Sequence, residues 1–228
     1  MTVFIVTTPK SEAIMGLRSR LFALTYNRLM ASGEKAGLAE IRATLLAGAS
    51  GDVLEVGAGT GLNLTHYAGE VSTLTVTEPD ASMLRRLEHV ATRTSQSTTI
   101  LRAPAEDLPF EDATFDTVVS TLVLCGVDDQ PRAVREIRRV LKPGGRLLFV
   151  EHVRSDDVAV SRRQDRINWL NRLVVGCDCN RPTLQTLERG GLVIDEIIHG
   201  ELPKSPAFVR PMIVGSANRP IDALTHLS

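Results

Sequence analysis

The sequence of 228 residues has few cysteines and aromatic residues, no excess of either charge and no long apolar run. Its 26 lysines and arginines against 27 aspartates and glutamates leave a net charge of -1, which gives no general attraction to nucleic acid or anionic membranes. No segment has the about 18 apolar residues of a membrane-spanning helix. The apolar residues 1–10 lack the basic leader of a signal peptide. We therefore expect a cytoplasmic protein with no transmembrane segment and no nucleic-acid partner.

The three cysteines, Cys125, Cys177 and Cys179, are an odd number and cannot all pair within one chain. Cys177 and Cys179 are separated by one residue, which is an awkward spacing for a relaxed disulfide. No two cysteines have the two-residue separation of a typical zinc site. With 43% hydrophobic and 23% charged residues the composition is ordinary, so a core can form without disulfides or metal ions. We expect reduced thiols and no metal.

The apolar pattern changes near residue 50. Before it, apolar residues recur at helical spacing and predict helices over residues 12–30 and 35–46. After it, short apolar runs alternate with helical segments, which is typical of a parallel sheet covered on both faces. The predicted strands are 53–56, 74–76, 98–102, 115–124 and 146–152, with helices beginning at Leu62, Ala81 and Pro131.

The last third of the chain is less regular. Residues 158–175 predict a helical insertion and residues 182–188 a shorter helix. Strands are predicted over residues 192–199 and 208–215. The final strand is expected to be antiparallel because too little chain separates it from its predecessor for a crossover.

A glycine-rich turn, Gly57-Ala58-Gly59-Thr60-Gly61, follows the first predicted strand. Glycine allows unusual backbone angles and lets a ligand approach the main chain without meeting a Cβ atom. The spacing differs from the G-x-G-x-x-G of dinucleotide folds and is not a P-loop. Taken alone, a tight strand-to-helix turn remains the alternative.

Glu78 ends the second predicted strand, about twenty residues past these glycines. The carboxyl ends of neighbouring parallel strands face one crevice, so the turn and Glu78 are expected to meet there. A carboxylate at that point can accept hydrogen bonds from both hydroxyls of a ribose. A solvated acid at a strand end is the alternative, and the glycine turn favours nucleoside binding.

Two further segments follow. The turn over residues 105–110 could lie along the edge of an adenine ring, and Leu122 could pack beneath a cofactor. The run Lys142-Pro143-Gly144-Gly145 ends a helix and begins a strand, so its predicted role is topology rather than chemistry.

The segments VLEVGAGTG, TEPD, AEDLPF with FDTVV, and VLKPGGRLL resemble, in this order, the motifs of class I S-adenosylmethionine-dependent methyltransferases. STLVLCGVDDQ and GCDCNRPTLQTLERGGL are similar to segments of thiol S-methyltransferases and their bacterial relatives. The resemblance implies an α/β fold with a Rossmann-like, seven-stranded, mostly parallel sheet, helices on both faces and an antiparallel last strand. It implies one domain, with N-terminal helices (1–50), a cofactor-binding core (51–152), a helical insertion acting as a lid (153–190) and final strands (191–216).

The resemblance also assigns residues to S-adenosyl-L-methionine. Glu55 would lie beneath the glycine turn, Glu78 would hold the ribose, and many relatives carry an aspartate where this chain has Pro104. The residues implied to bind the cofactor are Tyr26, Glu55, Gly57, Ala58, Gly59, Gly61, Asn63, Glu78, Pro79, Ala105, Glu106, Thr121 and Leu122.

The acceptor is expected to be a small molecule, because the chain shows lid segments but no separate recognition domain. We rank thiols slightly ahead of phenols and quinones, and these ahead of amines and lipids. His152 follows the fifth strand and is a candidate general base, with a structural histidine as the alternative. A binding protein without turnover and a nicotinamide-dependent oxidoreductase are the other functions considered. The remaining candidates for the acceptor pocket are Cys125, Asp128, Trp169, Cys177 and Arg181.

Overall fold

The computed structural model describes residues 26–28, 30–67, 69–94 and 96–221. Most of the predicted helix 12–30 therefore lies outside the described residues. The second predicted helix is present as a π-helical turn, Glu34–Leu38, that continues into α1, Ala39–Leu46. Within the described ranges, no helix combines the length and apolar character needed to cross a bilayer.

The remaining helices and strands follow the predicted order. The helices are α2 (Ala81–Ala91), α3 (Gln130–Val140), α4 (Val158–Val175) and α5 (Thr183–Arg189). The strands are β1 (Gly51–Val56), β2 (Val71–Thr77), β3 (Thr98–Leu101), β4 (Phe115–Thr121), β5 (Leu141–His152), β6 (Val193–Glu201) and β7 (Pro211–Asn218).

One seven-stranded sheet has the order β3-β2-β1-β4-β5-β7-β6. The first five strands pair in parallel, and β7 runs antiparallel to both β5 and β6. The predicted mostly parallel sheet with an antiparallel last strand is confirmed.

Side chains of β1 point alternately to the two faces of the sheet, as strand geometry requires. Leu54 packs in a buried cluster with Ile137 of α3. Val53 packs in a second cluster with Leu46 of α1 and Leu87 of α2. Helices therefore cover both faces of the sheet, which explains why consecutive residues of β1, Val53 to Val56, are all buried.

Aspartate side chains fix the starts of three helices. Asp80 accepts hydrogen bonds from the main chain of Ser82 and Met83 and begins α2. Asp129 caps α3. Asp157 caps α4. A side-chain oxygen at this position satisfies an N–H group that lacks a partner within the helix. These caps explain why the predicted bounds of α2 to α4 agree closely with the structure.

Two local predictions are wrong. Residues 62–67 form consecutive turns rather than the start of a helix, with main-chain hydrogen bonds three residues apart from Leu64 to Gly61 and from His66 to Asn63. The predicted strand 115–124 ends at Thr121, because Leu122 has a left-handed φ of 58°. Both departures bring loops to the carboxyl edge of the sheet.

The parallel arrangement of β1, β2, β4 and β5 brings their carboxyl ends to one edge of the sheet. The glycine turn follows β1, Glu78 follows β2, Leu122 follows β4, and His152 ends β5. The fold therefore gathers the main residue types singled out from the sequence.

Candidate active site

The glycine turn presents bare main chain. Gly57, Gly59 and Gly61 have φ values of 60°, 58° and 86°, a region that side chains disfavour. A Cβ atom on Gly57 would lie 2.8 Å from the methyl groups of Val123, so no side chain fits there. A Cβ atom on Gly59 would meet nothing within 4 Å, so the turn is open on that side. A ligand can therefore approach the main chain at Gly59.

Glu78 joins this turn to the end of β2. Its Oε2 accepts a hydrogen bond of 2.8 Å from the main-chain N–H of Gly59, and its Oε1 accepts one of 2.8 Å from Asp80. Burial raises the pKa of Glu78 to about 7 against the opposing effect of these hydrogen bonds. A carboxylate can accept about four hydrogen bonds. Glu78 can therefore receive ribose hydroxyls while it still holds the loop.

Glu55 lies beneath the glycine turn in a buried polar network. Its carboxylate accepts hydrogen bonds from Asn63 Nδ2 at 2.9 Å and from the Tyr67 hydroxyl at 2.7 Å. Asn63 Nδ2 also donates to Thr121 Oγ1 at 2.8 Å. Burial raises the pKa of Glu55. The network holds the turns over residues 62–67 against β1, because Asn63 and Tyr67 both donate to Glu55.

Arg42 completes this network and was missed by the sequence reasoning. Arg42 is 3% exposed, and its guanidinium donates to Asn63 Oδ1 at 2.9 Å and to Thr121 Oγ1 at 3.1 Å. It also pairs with Glu34 at 3.1 Å. The sequence did carry a signal for a buried charge, because Arg42 lies between the apolar residues Ile41 and Leu45 of α1.

The other residues expected at the cofactor are near the same edge but have protein partners. Glu106 Oε1 accepts the main-chain N–H groups of Asp128 at 2.7 Å and Asp129 at 3.3 Å. Ala105 is buried. Leu122 packs against the cluster that contains Leu38, Val150, Leu202 and Met212, and the Pro79 carbonyl accepts a hydrogen bond from Arg102. Their contacts with a cofactor stay predictions.

Cys125, His152 and Cys177 form a compact cluster at the tips of β4 and β5. One Sγ or ring nitrogen atom from each lies within 4.8 Å of the other two. Cys177 Sγ is 3.3 Å from His152 Nε2. Hydrogen bonds from Cys125 and His152 lower the pKa of Cys177 to about 5, whereas the hydrogen bond to Cys177 and burial raise the pKa of Cys125. These contacts therefore favour the thiolate form at Cys177 and disfavour it at Cys125.

His152 is 5% exposed, and within the described part of the chain only one of its two ring nitrogens has a contact within hydrogen-bond distance. Among the residues that the structure describes, its Nδ1 atom is buried without a hydrogen-bond partner. A buried polar atom in that state is a position where a bound molecule gains a hydrogen bond.

Glu151, the preceding residue, was also missed. It is fully buried, and its Oε1 accepts hydrogen bonds from Ser120 Oγ at 2.8 Å and from the main chain of Val123 and Leu124 at 3.0 Å. Burial raises the pKa of Glu151. Its role is to fix the loop that leads to Cys125.

Arg181, a candidate for the acceptor pocket, fastens the helical insertion to the loop after β4. Its guanidinium pairs with Asp178 at 2.6 Å and donates to the Leu124 carbonyl at 3.1 Å. The main-chain N–H of Asp178 donates to the Cys125 carbonyl at 2.8 Å. The segment that carries Cys177 is therefore held against the loop after β4.

Two predicted pocket residues do not join the cluster. Trp169 is 68% exposed on α4. Asp128 has a 93% exposed side chain that pairs with Arg172 at the surface. Trp169 lies on the exposed side of α4, whose buried residues include Gln164 and Asn171, and Asp128 lies at the surface in the loop between β4 and α3.

Tyr26 lies near the Glu78 and Arg42 side chains and near Cys125 of the cysteine–histidine cluster. Its side chain is half-buried, and burial raises its pKa to about 12. Arg42, Cys125 and Glu78 all act electrostatically on its hydroxyl. The contact of Tyr26 with the cofactor, implied by the family resemblance, stays a prediction.

Comparison with known proteins is consistent with this geometry. A methyltransferase domain family matches residues 54–149. Human thiol S-methyltransferase TMT1A is 33% identical over 204 residues, which cover 86% of this chain and 82% of that protein. Phosphatidylethanolamine N-methyltransferase of Cereibacter sphaeroides is 31% identical over 147 residues, covering 61% and 72%.

The fold is shared with the solved structure of the N-methyltransferase NodS from Bradyrhizobium japonicum in complex with S-adenosyl-l-homocysteine. The TM-score is 0.62 at 20% identity, covering 82% of this chain and 88% of that one. The open main chain at Gly59 and the buried carboxylate of Glu78 fit a nucleoside cofactor of this kind. These matches overturn the oxidoreductase alternative. The chain belongs to the family of S-adenosylmethionine-dependent methyltransferases.

Proposed function

We propose that the enzyme transfers the methyl group of S-adenosylmethionine to the sulfur of a small-molecule thiol. The observation that carries this proposal is the Cys125–His152–Cys177 cluster, which lies at the same edge of the sheet as the glycine turn. The long match to a protein named as a thiol S-methyltransferase supports the same acceptor class.

The cofactor side is assigned to the glycine turn and Glu78. S-adenosylmethionine supplies, when bound, a methyl group on a positively charged sulfur. The enzyme then needs mainly to align the acceptor and exclude water, and such positioning can contribute about 7–11 kcal/mol. The main chain at Gly59 would hold the methionine portion, and Glu78 would hold the ribose. Tyr26 would cover the bound molecule.

The acceptor side is assigned to His152. A thiol has a free pKa of about 8.5, so it needs only modest help to lose its proton near neutral pH. His152 has a buried nitrogen available for this purpose.

Acceptor class can be tested directly with the purified full chain. S-adenosylhomocysteine formation and the methylated product are measured with small thiols, phenols, amines and phosphatidylethanolamine vesicles. We expect thioether formation from thiols. Turnover only with phenols, amines or vesicles would contradict the proposal, and tight cofactor binding without any turnover would favour a binding protein.

The His152→Asn variant tests the residue. Loss of proton-transfer help lowers kcat by about 10²–10⁴-fold, and the affinity for S-adenosylhomocysteine is expected to stay unchanged. His199→Asn is the matched control, because His199 is exposed on β6. Equal activity of the His152 variant and the wild type would remove His152 from the reaction.

The cytoplasmic location stays a prediction.

A further inference from the structure

The cluster of Cys125, His152 and Cys177 has the donor set of a zinc site with one open position. In catalytic zinc sites three protein ligands bind the ion, and water or substrate takes the fourth place. Zinc is bound by cysteine sulfur at about 2.3 Å and histidine nitrogen at about 2.0–2.1 Å. Two cysteines and one histidine form one of the donor sets found in such sites.

The distances in the cluster suit that geometry. Around a tetrahedral zinc ion, bonds of these lengths place a sulfur and a nitrogen about 3.6 Å apart and two sulfurs about 3.8 Å apart. Cys177 Sγ and His152 Nε2 are 3.3 Å apart. One atom from each of the three residues lies within 4.8 Å of the other two. Small side-chain rotations therefore bring all three atoms to bonding distance.

The main chain around the ligands is already held in place. His152 ends β5 within the sheet. The carbonyl of Cys125 accepts the N–H of Asp178, and Asn171 Nδ2 donates to the Cys177 carbonyl at 2.7 Å. Ligands fixed by surrounding hydrogen bonds hold a metal in a defined geometry. Three segments far apart in sequence are thus tied together at this point.

The charges also balance. Cys125 is 1% exposed and His152 is 5% exposed, so an uncompensated charge there would be strongly unfavourable. Two thiolates and a neutral imidazole carry two negative charges, which a divalent cation neutralises. The donors are soft, which favours zinc over magnesium or calcium.

We propose that Cys125, His152 and Cys177 bind a zinc ion, and that the acceptor thiol takes its fourth coordination position. The acceptor part rests on the proposed function, whereas zinc binding does not. The inference replaces the sequence-based expectation of no metal, which considered only closely spaced cysteines. With zinc bound, His152 is a metal ligand through Nε2, and the metal takes over the activation of the acceptor thiol that the proposed function assigns to His152.

The transfer step would follow from this arrangement. A thiol that coordinates zinc loses its proton, here to solvent. The acceptor sulfur forms the new bond to the methyl carbon, and the bond from that carbon to the sulfonium breaks. Its electron pair stays on the cofactor sulfur, and the charges become neutral thioethers. A thioether binds zinc more weakly than a thiolate, so the product can leave.

Metal binding is tested on the full chain without activity measurements. Elemental analysis of zinc-loaded, desalted protein is expected to give about one zinc per chain. Cobalt(II) in place of zinc is expected to give the intense near-ultraviolet absorption of thiolate ligands. Cys177→Ser is expected to weaken zinc binding by more than about 100-fold, because losing a ligand exceeds the effect of losing an outer partner. Zinc bound equally by this variant, or not bound by the wild type, would overturn the inference.

Cys179→Ser is the matched control. Cys179 is buried in the same loop, but it lies outside the cluster, with Sγ 3.6 Å from Asn168 Oδ1. This variant is expected to keep its zinc. His152→Gln provides a second ligand variant, and circular dichroism with S-adenosylhomocysteine binding confirms that each variant is folded. Zinc loss in Cys179→Ser equal to that in Cys177→Ser would also overturn the assignment.

Two further results separate this inference from the proposed function. Addition of the acceptor thiol is expected to change the cobalt spectrum, and no change would overturn direct coordination. Metal-free protein that methylates thiols at the full rate would overturn the metal's role and leave the proposed function intact. Zinc-loaded protein that methylates only other acceptors would refute the proposed function while leaving the zinc ligands in place.

Discussion

Glu78 links the pH of the solution to cofactor binding. Its side chain is 6% exposed, and burial raises its pKa to about 7. The ionised carboxylate is the better acceptor for ribose hydroxyls, whereas the protonated acid loses acceptor capacity. Because the pKa is raised, this ionised form is lost as the pH falls below about 7. We therefore expect the cofactor to bind more weakly on the acidic side.

The magnitude follows from the ionised fraction. With a pKa of about 7, about 90% of Glu78 is ionised at pH 8 and about 10% at pH 6. If only the ionised form binds, the affinity falls about tenfold over this range, or about 1.4 kcal/mol. Glu78→Gln is expected to weaken binding at pH 8 by about 1.5–3 kcal/mol and to show no comparable pH dependence.

Titration calorimetry with S-adenosylhomocysteine at pH 6, 7 and 8 measures both quantities. This ligand lacks the sulfonium charge, so the carboxylate effect is not mixed with attraction to the sulfonium. Glu40→Gln is the matched control, because Glu40 is exposed on α1 and is expected to keep the wild-type pH dependence. A wild-type affinity that changes less than about twofold, or a Glu78 variant that retains the full slope, would refute the reasoning.

Three further variants test the packing around the site. Gly59→Ala is expected to lower the free energy of unfolding by about 1–2 kcal/mol, because Gly59 has a φ of 58°. It is also expected to weaken S-adenosylhomocysteine binding about tenfold or more, because the new methyl group enters the open side of the turn. Unchanged affinity in calorimetry would contradict the cofactor assignment. Arg42→Met removes the buried hydrogen bonds to Asn63 and Thr121 and is expected to lower the free energy of unfolding, measured in urea, by about 3–5 kcal/mol. A loss below about 1 kcal/mol would show that the network does not depend on this charge. Glu151→Gln keeps an oxygen for the three donors at Oε1, so its free energy of unfolding is expected to change by less than about 1 kcal/mol. Glu151→Ala is expected to lower the free energy of unfolding by about 3 kcal/mol. Equal losses in both variants would argue against the hydrogen bonds.

The fold was largely predictable because its signals are local. The helix bounds of α4, predicted as residues 158–175, agree with the structure because Asp157 caps its start and Gly176 ends it with a left-handed φ of 84°. The glycine turn and Glu78 could be placed together because neighbouring parallel strands end at one edge. These inferences need only neighbouring residues and a general rule of sheet topology.

The remaining parts of the site depend on contacts between distant segments. Arg42 reaches Asn63 and Thr121 from a helix that precedes the sheet, and no spacing rule connects these positions. Cys125 and Cys177 meet only because the insertion returns to the loop after β4. Residues 62–67 carry a helical pattern but form turns, and their contacts with the buried carboxylate of Glu55 could not be read from the sequence. Tertiary partners decide such positions.

The exposure of Trp169 determines what optical measurements can report. It is the single tryptophan of the chain and is 68% exposed, so its indole is already surrounded mainly by water in the native state. Its fluorescence should shift little when the protein unfolds or when the cofactor binds. A blue shift on adding a compound or vesicles would instead reveal an encounter with the outer side of α4.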